Sequence, residues 1–525
     1  MDADLRSIQQ ARDLLRAAAA AQHAFKTAEQ ATVDRIVAAM CEAGAAAAER
    51  LGRLAHEETG FGRPESKTQK NLFATRTLAE RMQGMKTAGI VRKNDAGTIW
   101  EVATPMGVVA ALVPSTNPTS TAMYKAIIAA KARCGIVMSP HPRATACTAE
   151  ALRVVAEAAY SAGAPEGLFG CMTEVSLHGT NALLEDERTD VILATGGGAM
   201  VRAAYSKGKP AYGVGSGNVP AYVDRSATVE KAAADLLTGT AFDWGTLCST
   251  ERSVVADAPI RARLLDALRQ HGAHVCTADE AEKLRQIITP GGVFNVGIVG
   301  QSPARIAQMA GFAVSEGTKA LVAEVTEVGP AEPLSMETLS PILSFYAADG
   351  WEAGCERCIT ILEFGGIGHT LAVHAQSERV IEQFALKKPS MRIVVNTVAA
   401  LGSVGMTTDL FPAMTLGPGT VGGSITSDNI SPLHLLNIKR VAFETAPLNT
   451  AQGGPAPQAS APSPAGAPAG DGSWMDTIEA RLRDRAGNAP VQPRAATSSA
   501  DPAPTASTLP LPDGEIASLI RRFRK

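Results

Sequence analysis

One cysteine stands where its neighbours in the sequence could give it a chemical role. Cys248 lies within "FDWGTLCSTERSVV" (242–255), after a Gly-Thr-Leu turn and before an apolar run that predicts a β-strand. A cysteine nucleophile must reach its thiolate form, which nearby backbone dipoles or a base can favour. On position alone, an inert buried thiol is the commoner role of a cysteine. The choice between these roles therefore depends on other segments of the chain.

A glycine-rich turn is the second candidate for chemistry. In "DVILATGGGAMVRAAYSKG" (190–208) an apolar strand is followed by three glycines and then by a helical segment. Glycines let the backbone approach a phosphate, and the N-terminus of the following helix favours its negative charge. The spacing is not G-x-G-x-x-G, so a tight strand-to-helix turn explains this motif equally well. A second glycine-rich segment, "GKPAYGVGSGNVPAYV" (208–223), follows directly.

Strands that alternate with helices are predicted on both sides of these candidates. Residues 1–90 have a helical composition, after which short apolar runs such as "GVVAALVP" (107–114) predict strands buried on both faces. Helical segments separate them, and "STAMYKAIIAAKARCG" (120–135) is predicted to end at Gly135. The alternation continues to "LHLLNIKRVAFE" (433–444). The pattern predicts an α/β fold built from βαβ units with parallel sheets.

The composition of the 525-residue chain is that of an ordinary globular protein. Its net charge is −3 and aromatic residues make up 4%, so neither a basic field nor a base-stacking surface predicts binding to nucleic acid. Eight scattered cysteines do not form a disulfide framework and favour a reducing compartment. The start, "MDADLRSIQQ", lacks the basic and apolar regions of a signal peptide, and no apolar run is long enough to span a bilayer. We therefore expect a cytoplasmic protein without a membrane partner.

The composition changes sharply after residue 448. Residues 449–472 contain 7 Ala, 5 Gly and 5 Pro and are predicted to be a linker, as are the Pro/Ala/Ser-rich residues 488–512. Between and after them, residues 473–487 and 513–525 each predict a short amphipathic helix that would not be stable alone in water. Their apolar stripes consist of Trp474, Ile478 and Leu482 in the first and of Ile516, Leu519, Ile520 and Phe523 in the second. A tethered apolar stripe favours docking on a partner over packing on the protein's own surface, and a membrane-surface helix is a weaker alternative.

Seven segments follow one another in an order that is typical of a known family. They are "VPSTNPTS" (113–120), "MSPHPRA" (138–144), "ATGGGAMVRAAYSKGKPAYGVGSGNVP" (194–220), "GTLCSTE" (245–251), "ETLSPIL" (337–343), "FGGIGHT" (364–370) and "TLGPGTVGGSITSDNISPLHLLNIK" (415–439). Together, over roughly residues 10–445, they resemble the CoA-acylating branch of the aldehyde dehydrogenase superfamily. This branch includes acetaldehyde, propionaldehyde and sulfoacetaldehyde dehydrogenases and the aldehyde half of bifunctional alcohol/aldehyde dehydrogenases.

The resemblance implies an aldehyde dehydrogenase fold with a defined domain order. It places N-terminal helices and a Rossmann-like dinucleotide-binding domain in residues 1–238, an α/β catalytic domain in residues 239–430, and a closing, oligomerising strand segment in residues 431–448. It implies oxidation of a short-chain aldehyde, NAD as the cofactor, coenzyme A as the co-substrate, and a homodimer or homotetramer. The choice of NAD over NADP comes from the family and not from individual residues.

The resemblance also assigns roles to individual residues. Cys248 matches the nucleophile that attacks the aldehyde carbon, and Asn117 matches the side chain that binds the developing oxyanion together with the backbone N–H of Cys248. Glu337 matches the carboxylate that holds the nicotinamide-side ribose. His369 matches a histidine of the acylating branch, for which help in deprotonating CoA and a structural hydrogen bond both stay open. The turn beneath the cofactor pyrophosphate corresponds to Thr195, Gly196 and Gly197.

One departure from the wider superfamily concerns the residue that activates water. Hydrolytic aldehyde dehydrogenases carry a Glu within the stretch that corresponds to residues 213–220, where this chain has "GVGSGNVP" and no carboxylate. Without that base, a thioacyl-enzyme is expected to persist until a thiol such as CoA arrives, because a thiol already has a useful thiolate fraction near neutral pH. Glu251 is the obvious substitute base, but we expect it to be a salt-bridged or solvated charge.

Two other motifs have weaker functional interpretations. Cys355 and Cys358 form a lone C-x-x-C without a second ligand pair, so no metal site is predicted. Arg143 in "SPHPRA" follows a predicted strand and is interpreted either as a phosphate contact or as an ordinary surface residue.

The two predicted terminal helices resemble the encapsulation peptides that recruit enzymes into bacterial microcompartments, where acylating aldehyde dehydrogenases are frequent cargo. This resemblance implies shell or core proteins as partners and the compartment lumen as the location. A hydrolytic dehydrogenase and a non-catalytic shell-associated protein are the competing hypotheses. The missing Glu disfavours the first, and the intact set of Cys248, Asn117 and Glu337 disfavours the second.

Overall fold

Three β-sheets organise residues 2–448, the part of the chain that the computed structural model describes. In chain order the strands of this part are β1 Gly89–Lys93, β2 Ile99–Pro105, β3 Val108–Val113, β4 Gly135–Pro140, β5 Phe169–Cys171, β6 Val191–Thr195, β7 Ala211–Val214, β8 Val219–Val223, β9 Glu251–Asp257, β10 Ala273–Val275, β11 Ala320–Glu324, β12 Ile342–Ala348, β13 Leu371–His374, β14 Ile393–Val395 and β15 Leu436–Ala442. Two sheets are parallel throughout and the third is antiparallel.

The α-helices of the same part cover the parallel sheets. In chain order they are α1 Ala3–Phe25, α2 Gln30–Ala46, α3 Ala48–Thr59, α4 Pro64–Leu72, α5 Leu78–Met82, α6 Pro118–Lys131, α7 Thr145–Ser161, α8 Leu177–Glu185, α9 Gly198–Tyr205, α10 Val229–Ala241, α11 Arg261–Gln270, α12 Ala278–Ile288, α13 Pro303–Ala310, α14 Gly350–Gly365, α15 Glu378–Lys387 and α16 Ala399–Gly402. The predicted α/β architecture with parallel sheets is confirmed. None of these helices combines the length and apolar character needed to cross a bilayer.

The first parallel sheet has the strand order β5-β4-β3-β6-β7. Every residue of the central strand β3, "VVAALV", is buried, because α1, α8 and α9 pack on one face of the sheet and α2, α6 and α7 pack on the other. Pro114 then ends the strand, since it has no N–H to continue the ladder. The carboxyl ends of these parallel strands therefore meet at one edge of the sheet, where the loops that carry the predicted site begin.

The second parallel sheet has the strand order β10-β11-β12-β9-β8-β13-β14. Helices α12–α15 cover one face, and α10 and α11 cover the other. Strand β8 belongs to this sheet because it pairs with β9 and β13. The change from the first sheet to the second therefore lies in residues 215–218, whereas the sequence placed the domain boundary at 238/239. This earlier change matters for the site, because residues 215–218 cross between the two sheets beside Cys248.

The antiparallel sheet joins distant parts of the chain. Strand β2 lies between β1 and β15, with Asn437 paired to Thr104, and most residues of β15 are exposed. The predicted closing segment, residues 431–448, contributes β15, and its oligomerising role stays a prediction. The predicted linkers and amphipathic helices of residues 449–525 lie outside the described residues.

Helix α6 differs from its predicted bounds. It begins at Pro118, with Asn117 at the N-cap position, and ends at Lys131, whereas the sequence predicted a helix that stops at Gly135. Arg133 adopts φ +62° and turns the chain, so that Gly135 is already the first residue of β4. The start of α6 matters more for function, because Pro118 at the first helical position fixes where the Asn117 side chain leaves the backbone.

Candidate active site

A cleft of about 370 Å³ opens at the carboxyl ends of the first parallel sheet. Loops that follow β3, β4, β6 and β7 line one side, and the segments around Cys248 and Glu337 from the second part of the fold line the other. Open α/β sheets bind ligands at this edge, where loops diverge. Six of the seven site residues predicted from the sequence line this cleft: Asn117, Thr195, Gly196, Gly197, Cys248 and Glu337. His369 does not.

Cys248 follows a backbone turn of unusual conformation. Asp243, Trp244 and Gly245 have φ values of +49°, +49° and +73°. Residues other than glycine rarely adopt positive φ, so Asp243 and Trp244 are the unusual ones. Such a conformation persists only where the surroundings enforce it. The turn brings Cys248 to the cleft just before β9 begins. Within residues 2–448, no oxygen accepts the backbone N–H of Cys248, so this donor is available to a ligand.

The thiol of Cys248 is protonated at neutral pH in this state of the protein. Burial raises its pKa to about 12, and the Glu337 carboxylate acts in the same direction. The guanidinium groups of Arg392 and Arg252 oppose these effects without cancelling them. A positive charge or a hydrogen-bond donor placed near the sulfur would lower this pKa and favour the thiolate.

The amide of Asn117 has a fixed orientation. Its Oδ1 accepts a hydrogen bond of 2.5 Å from the Nζ of Lys70, and its Nδ2 donates to the carbonyl oxygen of Thr246 at 3.3 Å and to the hydroxyl of Thr116 at 3.1 Å. The amide oxygen thus points away from Cys248, and the amide nitrogen points toward the loop that carries Cys248. Both Nδ2 hydrogens already have acceptors, so an oxyanion beside Cys248 would accept one of them in place of Thr116 or Thr246.

A buried cluster of Lys67, Lys70 and Asp243 lies behind Asn117, and the sequence analysis missed it. The ammonium group of Lys67 lies 3.3 Å from Oδ2 of Asp243, and that of Lys70 contacts the same oxygen. The three side chains are almost inaccessible to solvent. Burial opposes ionisation of Asp243, but the two lysines outweigh it and hold the pKa of that carboxyl below its ordinary value. Burial also lowers the pKa of Lys70 to about 8, and Asp243 opposes that shift. The spacing of the two lysines on one face of α4 was the only signal in the sequence.

Glu337 is tied to the segment that crosses between the two sheets. Its Oε1 accepts the backbone N–H of Gly217 at 2.8 Å. A Cβ atom built on Gly217 would stand 1.8 Å from the carbonyl oxygen of Cys248, so only glycine permits this close approach. Glu337 therefore supports the backbone beside Cys248 while its carboxylate faces the cleft.

The glycine-rich turn after β6 has room above its backbone. A Cβ on Gly197 would meet no atom within 4 Å, and one on Gly196 would meet only the Met200 sulfur at 3.7 Å. Protein packing therefore does not require glycine at these two positions, and the open space leaves room for a ligand to approach the backbone. Gly197 is the N-cap of α9, and a helix N-terminus favours a phosphate. The turn thus fits the pyrophosphate of a dinucleotide, and the hydroxyl of Thr195 anchors it by a 2.9 Å bond to that of Thr415.

His369 lies one layer behind the cleft. A Cβ atom built on Gly217 would lie 3.3 Å from the ring of His369. The Nδ1 of His369 forms a hydrogen bond of 3.0 Å with the hydroxyl of Thr370. Burial, assisted by Arg392, lowers the pKa of His369 to about 3, so the ring is neutral and weakly basic at physiological pH. Arg392 donates to the carbonyl oxygen of His369 at 3.0 Å and to Oδ1 of Asn429 at 2.6 Å. It thereby connects the backbone of His369 to the loop that contains Asn429.

Glu251 differs from its predicted surroundings. It is fully buried and forms no ion pair, so the expectation of a salt-bridged or solvated charge is wrong. Its Oε1 accepts the backbone N–H of Ala399 at 2.6 Å, and burial raises its pKa to about 8. Glu251 does not line the cleft. Among the described residues, Glu337 is the only carboxylate that does, and none comes from residues 213–220.

The remaining motifs lie away from the cleft. Cys355 and Cys358 are buried in α14, and Arg143 is exposed, whereas its neighbour His141 lines the cleft. Within residues 2–448 one group of possible metal ligands comes together, made of His274, Cys276 and Glu280. Glu280 caps α12 and bonds to His274 at 3.0 Å, so its carboxylate already has partners.

The chain is similar to known proteins over most of the described residues. The family model described as "Aldehyde dehydrogenase family" matches residues 3–290. The bifunctional aldehyde-alcohol dehydrogenase AdhE of Escherichia coli is 39% identical over 431 residues, which are 80% of this chain and 48% of that protein. The chain thus spans about half the length of this relative.

Two solved structures share the fold. An acetylating aldehyde dehydrogenase from Geobacillus thermoglucosidasius has 47% sequence identity and a TM-score of 0.84, and the match covers 86% of this chain and 100% of that one. A propionaldehyde dehydrogenase from the fucose utilisation bacterial microcompartment of Clostridium phytofermentans has 25% identity and a TM-score of 0.75, over 83% of this chain and 97% of that one.

Proposed function

The chain belongs to the aldehyde dehydrogenase family, and we propose that it is a CoA-acylating enzyme that oxidises a short-chain aldehyde to an acyl-CoA with reduction of NAD⁺. The observation that carries this proposal is the set of groups around Cys248. A cysteine and an oriented amide meet in one cleft, and Glu337, the only carboxylate among the described residues that line it, accepts the backbone N–H of Gly217. These groups support a nucleophile and an oxyanion donor, and no carboxylate at residues 213–220 lies there to activate water.

In the proposed first step, the Sγ of Cys248 adds to the aldehyde carbon after losing its proton. The carbonyl oxygen gains negative charge, and two donors lie on the Cys248 side of the cleft: the Nδ2 of Asn117 and the backbone N–H of Cys248. Removal of one such donor typically costs about 10²–10³ in kcat. The hemithioacetal carbon must then lose a hydride.

The bound nicotinamide cofactor supplies the hydride acceptor for this step. The chain's own contribution is to place that acceptor: the open turn at Gly196 and Gly197 receives the pyrophosphate, and Glu337 faces the cleft at the position proposed for the ribose. Because Gly217 contacts both Glu337 and Cys248, one connected segment would hold the cofactor and the nucleophile relative to each other.

The acyl group then passes from Cys248 to the thiol of CoA, and the Cys248 thiolate is released. Hydrolysis would require a base to deprotonate water, whose own pKa is far above neutrality. Glu251, the candidate substitute, is buried away from the cleft and bonded to Ala399. A CoA thiolate needs no comparable activation, which supports acyl-CoA as the product.

The lining of the cleft favours an uncharged aldehyde. The lining side chains include Phe61, Phe294, Val296 and Leu339, and no lysine or arginine of residues 2–448 is among them. A carboxylate or sulfonate placed there would lose its hydration without gaining a cationic partner. We therefore propose acetaldehyde or propionaldehyde as the substrate class, in preference to sulfoacetaldehyde.

An assay of NADH formation tests the function directly. Wild-type protein is supplied with acetaldehyde, propionaldehyde, sulfoacetaldehyde or succinate semialdehyde, each with and without CoA, and the products are identified. CoA-dependent NADH formation with the two apolar aldehydes is expected. Rapid NADH formation without CoA, with free acid as product, would show a hydrolytic enzyme instead. No turnover with any aldehyde would favour a non-catalytic protein.

A location inside a bacterial microcompartment is the second part of the proposal. It rests on the apolar stripes in residues 473–487 and 513–525 and on the similarity to a propionaldehyde dehydrogenase of such a compartment. The partners would be shell or core proteins, and the exposed strand β15 is the surface proposed to join the copies of a homo-oligomer. Confinement of the aldehyde is the chemical benefit of this location.

A further inference from the structure

We propose that Lys70 is a positioning residue that fixes the amide of Asn117 as an oxyanion donor. This inference rests on the proposed function, because it concerns how the site stabilises charge on an aldehyde oxygen. Lys70 lies in α4, within the N-terminal helical region, and does not line the cleft. Its effect on catalysis would therefore pass through the groups that it contacts, chiefly Asn117.

The hydrogen-bonding capacity of the partners gives Lys70 this role. An asparagine amide can rotate by half a turn and exchange its oxygen with its nitrogen, which would turn a donor into an acceptor beside Cys248. The hydroxyl of Thr116 can donate or accept and so tolerates either orientation. The carbonyl of Thr246 accepts only, but at 3.3 Å. Lys70 has donors only and approaches Oδ1 to 2.5 Å, so it is the group that makes the flipped amide unfavourable.

Lys70 is itself held in place from several directions. Its Nζ contacts the Asp243 carboxylate and lies 3.4 Å from the hydroxyl of Thr246. The other oxygen of Asp243 accepts the backbone N–H of Arg63 at 2.7 Å, which ties the carboxylate to the segment before α4. A side chain with four rotatable bonds is thereby reduced to one position, as a positioning residue requires.

The same cluster also supports the second oxyanion donor. Asp243 has φ +49° and opens the turn that ends at Cys248. Lys67 adds a further restraint, because its Nζ contacts Asp243 at 3.3 Å and donates to the carbonyl of Thr116 at 3.2 Å. The ionic cluster of Lys67, Lys70 and Asp243 thus supports both proposed oxyanion donors, the side chain of Asn117 and the backbone N–H of Cys248.

A double-mutant cycle tests the proposal in the full-length protein. The variants are Lys70→Met, Asn117→Ala and the two combined, and kcat and KM are measured for CoA-dependent NADH formation. We expect Asn117→Ala to lower kcat about 10²–10³-fold and Lys70→Met about 10–10²-fold, each with little change in KM for the aldehyde. In the Asn117→Ala background, Lys70→Met should cost much less than in the wild-type background, and the remaining loss would report the contact of Lys70 with Asp243. Lys131→Met is the matched control, because it removes an equally buried lysine from an ion pair with Asp34, remote from Asn117.

Alkylation of Cys248 separates positioning from general damage to the site. The rate at which iodoacetamide modifies Cys248, followed by mass spectrometry of its peptide, does not depend on an oxyanion donor. Lys70→Met should leave that rate within about twofold of wild type while turnover falls. Parallel loss of alkylation and turnover would show that Lys70 only maintains the 242–248 turn, and the proposal would be overturned. Additive losses in the cycle, or an unchanged kcat in Lys70→Met, would overturn it as well.

A second variant and the wild-type activity keep the result unambiguous. If Lys70→Met does not fold, as judged by its thermal transition, the cycle is run with Lys70→Gln, whose uncharged amide is too short to reach both Asn117 and Asp243. The same non-additivity is expected, and additivity would again contradict the proposal. Failure of the proposed function is distinguishable, because the wild-type protein itself would then lack CoA-dependent turnover.

Discussion

The Cα of Gly217 lies so close to the carbonyl oxygen of Cys248 that a Cβ on Gly217 would stand 1.8 Å from that oxygen. No real Cβ contact is that short, so any other residue at this position must displace the backbone of Cys248. Because Gly217 also donates its N–H to Glu337, this contact sets the spacing between Cys248, the proposed nucleophile, and Glu337, the proposed cofactor contact.

Gly217→Ala is therefore expected to lower kcat by about a hundredfold or more, since a displacement near 1 Å at a reacting group is enough for such a loss. Steady-state NADH formation measures it. Gly365→Ala is the matched control, because its new Cβ would lie 3.8 Å from the nearest side chain. Equal activity in the two variants would show that the Cys248 backbone moves freely to make room.

The reactivity of Cys248 should depend steeply on pH in the free enzyme. Its pKa is raised to about 12, so the thiolate is a small fraction at pH 7 and grows roughly tenfold per pH unit up to that value. We expect the rate constant for alkylation of Cys248 by iodoacetamide to rise throughout the range from pH 7 to pH 10. A plateau below pH 8 would mean that the resting thiol is already activated.

Glu251 should make the protein less stable as the pH rises. Its pKa is about 8 in the folded protein and 4.5 in the reference state, so between these values the folded chain binds the extra proton and the free energy of unfolding falls with increasing pH. Glu251→Gln removes this titration. The difference in Tm between Glu251→Gln and wild type should therefore grow by several degrees from pH 5 to pH 8. Exposed Glu356, changed to Gln, is the control and should show no such trend.

Removal of residues 449–525 should separate catalysis from location. The truncated protein is expected to keep kcat and KM within about twofold, because every residue placed in the cleft lies before residue 449. It should no longer co-purify with shell proteins when expressed together with them. Removal of residues 513–525 alone then shows which predicted helix docks. Continued co-purification of the fully truncated protein would contradict the docking proposal.

The sequence predicted the α/β fold and most of the cleft because both depend on short-range patterns. Alternating apolar runs and helical segments indicate parallel sheets, and the carboxyl ends of such strands must meet, which brings Asn117 and Thr195 to one edge. The sequence did not show which sheet β8 joins, because that is decided by its pairing with β9 and β13, and residue 371 of β13 is 148 positions after the end of β8.

Two polar residues show the other limit of sequence analysis. Lys70 and Glu251 belong to types that are normally exposed, so composition and periodicity assign both to the surface. Lys70 is buried with Asp243, 173 positions later, as its counter-charge, and the carboxylate of buried Glu251 accepts the backbone N–H of Ala399. The sequence near Lys70 or Glu251 does not identify either partner, since each pairing is made only when distant segments pack together.

The ionic cluster behind Asn117 also limits how this protein can be recombined. Asp243 and Cys248 lie in the second half of the fold, but the cations that neutralise Asp243 come from α4 near the N-terminus. A chimera that crosses over between residues 72 and 243 would inherit the carboxylate from one parent and the lysines from the other. If the parents differ there, the hybrid would bury an unpaired charge at a cost of several kcal/mol. A functional chimera must therefore take α4 and the 242–248 turn from the same parent, although more than 170 positions separate Lys70 from Asp243.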